Sequence, residues 1–77
     1  MLIEVSSRSG TPDPAVRQEI EAADQALRQN FSGFDPDVIV PEIERAFAHL
    51  QAQPSADDIA GYARAISARA DFELVLD

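Results

Sequence analysis

The sequence predicts a small α+β domain that is mainly helical, with three helices and a short strand near each end of the chain. Three stretches place apolar residues at helical spacing, and each follows residues that commonly begin helices. Two short apolar runs with β-branched residues flank these stretches and are typical of strands. An all-α three-helix bundle is the alternative. In either fold, residues 1–77 form one small helical domain.

The first elements are a strand at residues 2–7 and a helix that runs from Pro14 to Asn30. Proline before the first helical turn keeps Asp13 out of the helical region, so Asp13 is the expected N-cap. Gly33 lies just past the expected end of the helix. The predicted buried stripe of this helix consists of Val16, Ile20, Ala23, Leu27 and Phe31.

The middle of the chain gives mixed indications. A helical turn near 36–39 is expected to bend at Pro41 into a second helix that ends near Gln51. The β-branched content before the proline leaves a short strand at 37–40 as the alternative. One helical face nevertheless continues through the whole region, formed by Ile39, Ile43, Phe47 and Leu50.

The third helix is predicted from Ala56 to Ala70. Ser55 and Asp58 have the spacing of a capping box, with aspartate in the place of the usual glutamate or glutamine. Gly61 lies inside this helix, where a small residue allows another element to approach closely. The apolar face consists of Ile59, Tyr62, Ala63, Ile66 and Ala70.

A last strand is predicted at residues 72–76. The two terminal strands either form a ribbon with each other or pair across a dimer. A two-stranded ribbon alone is marginal in water, so it needs helices or a partner chain to pack on. An unpaired strand edge can recruit another polypeptide. The expected partner-binding residues are therefore the apolar residues of the two strands: Ile3, Val5, Phe72, Leu74 and Leu76.

No combination of residues in the chain indicates a catalytic, cofactor or metal site. Cysteine is absent, and His49 is the single histidine and lies off the apolar stripe of its helix. The three glycines are scattered, so no phosphate-binding loop is present. We therefore expect no enzymatic activity, no cofactor and no small-molecule substrate. Half of the acids are explained by predicted helix starts, where they favour the helix dipole: Asp13, Asp35, Asp37, Glu42, Glu44, Asp57 and Asp58.

The charge balance argues against nucleic acid as a direct partner. The formal net charge is −8, from 14 acidic and 6 basic residues. Asp57 and Asp58 would also repel phosphates at the helix start that a helix-turn-helix presents to DNA. On the first helix, the i,i+4 pairs Arg17/Glu21 and Asp24/Arg28 are interpreted as a solvated face.

The sequence begins without the basic and apolar regions of a secretory signal, and it has no apolar run of about 20 residues. A cytoplasmic protein without membrane contact is therefore expected. Frequent alanine, together with arginine as the only basic residue apart from histidine, suggests a bacterial source.

Together these observations predict a small acidic protein-protein interaction module or regulator. Its partner is another protein or a second copy of itself, so that it acts as a homodimer or docked on a larger protein. The alternative is an acidic, antitoxin-like inhibitor that blocks a basic nucleic-acid-binding surface.

Overall fold

The computed structural model describes residues 3–7, 10, 13–50 and 53–76, and in these ranges three helices lie between two strands. The strands pair with each other in parallel. This arrangement agrees with the predicted mainly helical α+β class. The predicted first strand residue, Leu2, lies outside the described residues, and pairing across a dimer stays a prediction. In chain order the elements are β1 (Ile3–Ser7), α1 (Pro14–Phe31), α2 (Pro36–Phe47), α3 (Ala56–Ala68) and β2 (Phe72–Leu76).

Helix α1 begins and ends close to where the sequence predicts. The Asp13 side chain accepts a hydrogen bond from the Ala15 N–H at 2.8 Å, as an N-cap does. After the helix, Gly33 adopts a φ of 85°, which glycine tolerates without steric cost. The Gly33 N–H then donates to the carbonyl of Ser67 at 3.1 Å, so the turn after α1 is tied to the end of α3.

Helix α2 is continuous from Pro36 to Phe47, although it contains Pro41, and the alternative of a strand at 37–40 is wrong. The proline lacks the N–H that would donate to the carbonyl of Asp37. Asp37 lies in the exposed first turn, where water can reach that carbonyl. The missing bond therefore does not stop the helix.

Helix α2 ends earlier than the sequence predicts. The predicted last residue, Gln51, lies outside the described residues, and the helix already stops at Phe47. The Gln53 side chain donates to the carbonyls of Phe47 and Leu50, both at 2.6 Å. These bonds satisfy carbonyls that a longer helix would have used internally.

Helix α3 begins at the predicted cap and stops two residues before the predicted end. The Ser55 hydroxyl accepts from the Asp58 N–H at 3.1 Å. At the other end Arg69 adopts the left-handed conformation, with φ 57° and ψ 38°. The Ala70 N–H reaches back to the Ala65 carbonyl at 2.8 Å, which completes a Schellman motif. Because an arginine occupies the position where glycine is usual, the residue types do not predict this helix end.

The hydrophobic core lies between the helices and one face of the two-stranded sheet. Leu74 and Leu76 alternate with outward residues of β2 and are buried. Gly61 allows the close approach of β2, because a Cβ at this position would lie 3.1 Å from the Phe72 ring. The part of β2 that lies against Gly61 is thus the aromatic ring of Phe72. The largest fully buried side chains are Tyr62, Phe47, Ile3, Ile20, Ile39, Ile43, Ile66 and Leu74.

Candidate protein-interaction site

On the outer edge of β1, the side away from β2, the backbone groups of Val5 form no hydrogen bond with any described residue. In a parallel ladder, successive residues of a strand direct their N–H and C=O groups alternately to one side and the other. The Val75 N–H donates to the Asp58 carboxylate at 3.3 Å, so it points away from β1. Val75 pairs with Ser6 in the ladder register, so Ser6 bonds to β2. The N–H and C=O of its neighbour Val5 must then point away from β2.

A second hydrogen bond supports this orientation. Ser7 is two residues beyond Val5 and shares its direction in the alternating pattern. The Ser7 carbonyl accepts from the Gly10 N–H at 3.3 Å, in an antiparallel bridge outside the two-stranded ladder. Within the described ranges, no residue makes a corresponding bridge to Val5.

The outer edge of β2 is covered, in contrast to that of β1. Asp58, in the first turn of α3, accepts the outward N–H of Val75. Pro54 forms an antiparallel bridge with Leu76. The segment around the start of α3 thus occupies the side of β2 where another strand would otherwise add. Of the two sheet edges, the edge of β1 at Val5 is the one that remains accessible among the described residues.

A groove lies along β1 beside α1. It has a volume of about 480 Å³. Among the described residues, its lining comes from β1 and α1 and includes none of β2, so the groove follows the outer edge of β1 and not the ladder side. The lining residues are Ile3, Glu4 and Val5 of β1 together with Arg17 and Glu21 of α1. The groove therefore combines an open strand edge with an apolar floor and a charged helical wall.

The solvent-facing side of the sheet brings two acids together. Glu4 and Glu73 are directly paired in the ladder, and both are exposed. The adjacent pair on this face is Ser6 with Val75. Like charges directly opposite each other destabilise a pair of strands, because their repulsion opposes the pairing. This face is therefore negatively charged next to the open edge.

The five residues predicted to bind a partner are brought together by the sheet, but most of their side chains are used internally. Ile3, Leu74 and Leu76 are 2%, 0% and 3% exposed. Val5 and Phe72 are partly buried and pack against the same core. What the two strands can offer a partner is thus mainly backbone, at Val5. That these residues bind a partner stays a prediction.

A second surface lies between α1 and α2, and sequence reasoning missed it. This groove has a volume of about 230 Å³. Close to its Phe31 end, Phe34 packs edge-to-face on Phe31 with ring centroids 5.6 Å apart. Phe34 and Val38 are 49% and 50% exposed. Their position off the stripe of Ile39 could have indicated this exposure. The groove is lined by Ala23, Ala26, Leu27, Asn30, Phe31, Glu42, Arg45 and Ala46.

A buried polar cluster joins α1 to α3, and it corrects one sequence prediction. Asp24 and Arg28 do not lie on a solvated face, because they are only 6% and 8% exposed. The Arg28 Nε donates to Asp24 at 2.7 Å, and the Tyr62 hydroxyl donates to the same carboxylate oxygen. The sequence contained the relevant pattern, since Asp24 lies four residues after Ile20 and three before Leu27, on the buried stripe.

The environment of Tyr62 keeps its phenol protonated. Burial, followed by the hydrogen bond and the charge interaction with Asp24, raises the pKa of Tyr62 above its ordinary value of 10.0, against the opposing effect of Arg28. The ring also stacks between Phe47 and Phe72, with centroid distances of 6.1 and 5.6 Å. Because Tyr62 is 0% exposed, a substrate cannot reach its hydroxyl, and the hydrogen bond to Asp24 connects α3 to α1.

The remaining acids and the histidine lie mostly at the surface. His49 Nε2 lies 3.0 Å from a Glu19 carboxylate oxygen, and both side chains are more than half exposed. Asp13 is an N-cap as predicted, and Asp35, which was predicted to lie at a helix start, is the N-cap of α2. Glu42 and Glu44 do not lie at a helix start, because α2 already begins at Pro36. In the described part of the chain, no group of three or more His, Asp or Glu residues could hold a metal ion.

No helix in the described ranges is long and apolar enough to cross a membrane. Comparison of the chain with protein-family models, with curated proteins and with solved structures found no match.

Proposed function

We propose that this chain is a small non-enzymatic protein-interaction module that binds an extended segment of another polypeptide along the outer edge of β1. The observation that carries the proposal is the open backbone of Val5 beside the groove between β1 and α1. The edge of β2 is covered by Asp58 and Pro54, which leaves one side of the sheet for an added strand.

The energetics of strand addition suit such an edge. Each main-chain hydrogen bond contributes a net free energy of about 0.5–1.5 kcal/mol to binding. Contacts between the groove and side chains of the added strand contribute further binding free energy. A third strand would also shield the partly buried Val5 from water. Binding through backbone groups is consistent with the burial of Ile3, Leu74 and Leu76, whose side chains need not move.

The added strand belongs either to a larger protein or to a second copy of this chain. Two copies that pair antiparallel about Val5 would place Glu4 of each opposite Ser6 of the other, which avoids a direct contact between the two Glu4 residues. Each copy nevertheless has a formal charge of −8, and this repulsion weakens self-association at low salt. The homodimer is therefore the weaker form of the proposal.

Amide hydrogen exchange tests the proposal at one residue. In dilute solution, the Val5 N–H should exchange rapidly, whereas the Ser6 N–H, which the ladder directs to β2, should be protected. Binding of a partner strand, or self-association at high concentration followed by light scattering, should protect Val5 and leave Ser6 unchanged. A Val5 amide that stays fully protected at all dilutions in a monomer would show that the edge is closed, and would overturn the proposal.

A second candidate function is supported by the charge distribution. The paired Glu4 and Glu73 on the open sheet face, within an excess of 14 acids over 6 bases, suit an inhibitor that covers a basic nucleic-acid-binding surface. Electrostatic steering would make such binding fast and dependent on salt. Association with a basic partner that is equally strong at low and high ionic strength would rule this candidate out.

A further inference from the structure

We infer that the segment accepted by the β1 edge is an extended basic one, in which lysine or arginine alternates with apolar residues. This inference rests on the proposed function and adds the chemistry of the partner. It follows from the juxtaposition of the Val5 backbone, the groove beside α1 and the Glu4/Glu73 pair.

The alternation follows from the two faces of the sheet. Side chains of an added strand point in turn to the solvent face and to the face that carries the helices. On the helix side they enter the part of the groove that Ile3 and Val5 line. On the solvent side they lie next to Glu4, which lines the same groove from the other face of the sheet. Apolar residues suit the first position and basic residues suit the second.

The groove wall does not reverse this preference. Arg17 and Glu21 are one helical turn apart on α1, so their charges largely offset each other. On the solvent face, by contrast, Glu4 and Glu73 repel each other, and no basic residue of either strand shares that face. A lysine or arginine of the partner beside Glu4 relieves this repulsion and forms a cross-strand ion pair. The net charge of −8 also attracts a basic partner over a longer range.

A second copy of the chain lacks this chemistry. On the solvent face its own β1 carries Glu4 and Ser6, neither of which is basic. The same argument disfavours acidic peptides, which would place a third carboxylate beside the existing pair. The edge thus distinguishes partners by charge while its backbone bonds are indifferent to sequence.

The test uses three blocked peptides of equal length that alternate valine with lysine, with threonine or with glutamate. Each is titrated into the isotope-labelled full chain, and binding is followed through the amide resonances of β1. We expect the lysine peptide to bind about ten-fold more tightly than the glutamate peptide, with the threonine peptide between them. High salt should reduce this difference.

Two sets of variants separate the inference from the proposed function. Glu4→Gln combined with Glu73→Gln changes only exposed side chains, and it should remove most of the preference for lysine while the threonine peptide still binds. Val5→Pro removes an outward N–H that the ladder does not use and should abolish binding of all three peptides, whereas Val5→Thr, which keeps the N–H, should not.

The outcomes are distinguishable. Equal affinity for the lysine and glutamate peptides, with the amide shifts centred on Val5, overturns the basic-partner inference and leaves the proposed function standing. Failure of all three peptides to shift the β1 amides of the unmodified chain overturns both. Because this outcome is measured on the unmodified chain, the test does not depend on whether the Val5→Pro variant folds.

Discussion

Removal of the Tyr62 hydroxyl tests whether the buried polar cluster stabilises the fold. Tyr62→Phe deletes the donor to Asp24 and leaves that carboxylate buried with Arg28. The ring keeps its volume and its stacking on Phe47 and Phe72, so no cavity contributes to the effect. Any loss of stability then reports the hydrogen bond and the poorer solvation of Asp24.

The expected loss is about 2 kcal/mol. Hydrogen bonds to a charged group contribute about 1.5–3 kcal/mol, and Asp24 at 6% exposure cannot replace its lost donor with bulk water. For a chain of this length, the total free energy of unfolding is expected to be about 4–12 kcal/mol. One hydroxyl group therefore accounts for a large share of it.

The assay is equilibrium unfolding in urea at neutral pH, followed by far-ultraviolet circular dichroism, because the variant has no tyrosine to report. The matched control repeats Tyr62→Phe in an Asp24→Ala background, where the hydroxyl has no carboxylate to bind and its removal should cost little. A loss below about 0.5 kcal/mol in the original background would refute the reasoning. The same loss in both backgrounds would also refute it.

Three further predictions concern other parts of the fold. Because burial and the Asp24 interaction raise the pKa of Tyr62 in the folded chain, the unfolded chain loses the phenol proton at a lower pH than the folded chain does. The free energy of unfolding should therefore fall as pH rises above about 10, by about 1.4 kcal/mol per pH unit, and a flat profile or an equal slope in Tyr62→Phe would contradict this. Glu73→Lys should stabilise the chain by about 0.5–1 kcal/mol in thermal unfolding at low salt, because it replaces the repulsion with Glu4 by attraction; an unchanged midpoint would contradict the parallel register. Arg69→Gly should raise the free energy of unfolding, measured in urea, by about 0.5–1 kcal/mol, because glycine adopts the left-handed conformation without the steric cost of a Cβ. Arg69→Ala should not raise it, and equal effects of the two substitutions would contradict the assigned cap.

The sequence predicts the elements because their causes are local. Asp13, Asp35 and Ser55 stand where caps are needed, and each accepts a hydrogen bond from the first turn of its helix. Helix ends were less predictable where the stop depends on other groups. The Gln53 side chain caps α2 from beyond its end, and Arg69 takes a conformation that its residue type does not favour.

The candidate site was predicted only in outline. The short runs at 2–7 and 72–76 indicate strands, but they do not say whether the strands pair in parallel. The direction of the Val5 backbone depends on that pairing and on the bond from Val75 to Asp58. The burial of Asp24 likewise depends on Tyr62, which is 38 residues away along the chain. Such long-range contacts have no local pattern.

The pairing of β1 with β2 has a consequence for the order of events during synthesis. Ile3 pairs with Phe72, whereas α2 and α3 adjoin each other in the chain and can form a helical hairpin early. Contacts between distant residues carry the larger loop-closure cost and tend to form late in folding. The ribosome must therefore make β2 before the ladder that sets the direction of the Val5 backbone can exist. A chain whose synthesis stops before β2 would leave both edges of β1 exposed and would be prone to unselective pairing. Only a chain that has folded through β2 would offer a single edge, so binding at the β1 edge would itself indicate that the ladder has formed.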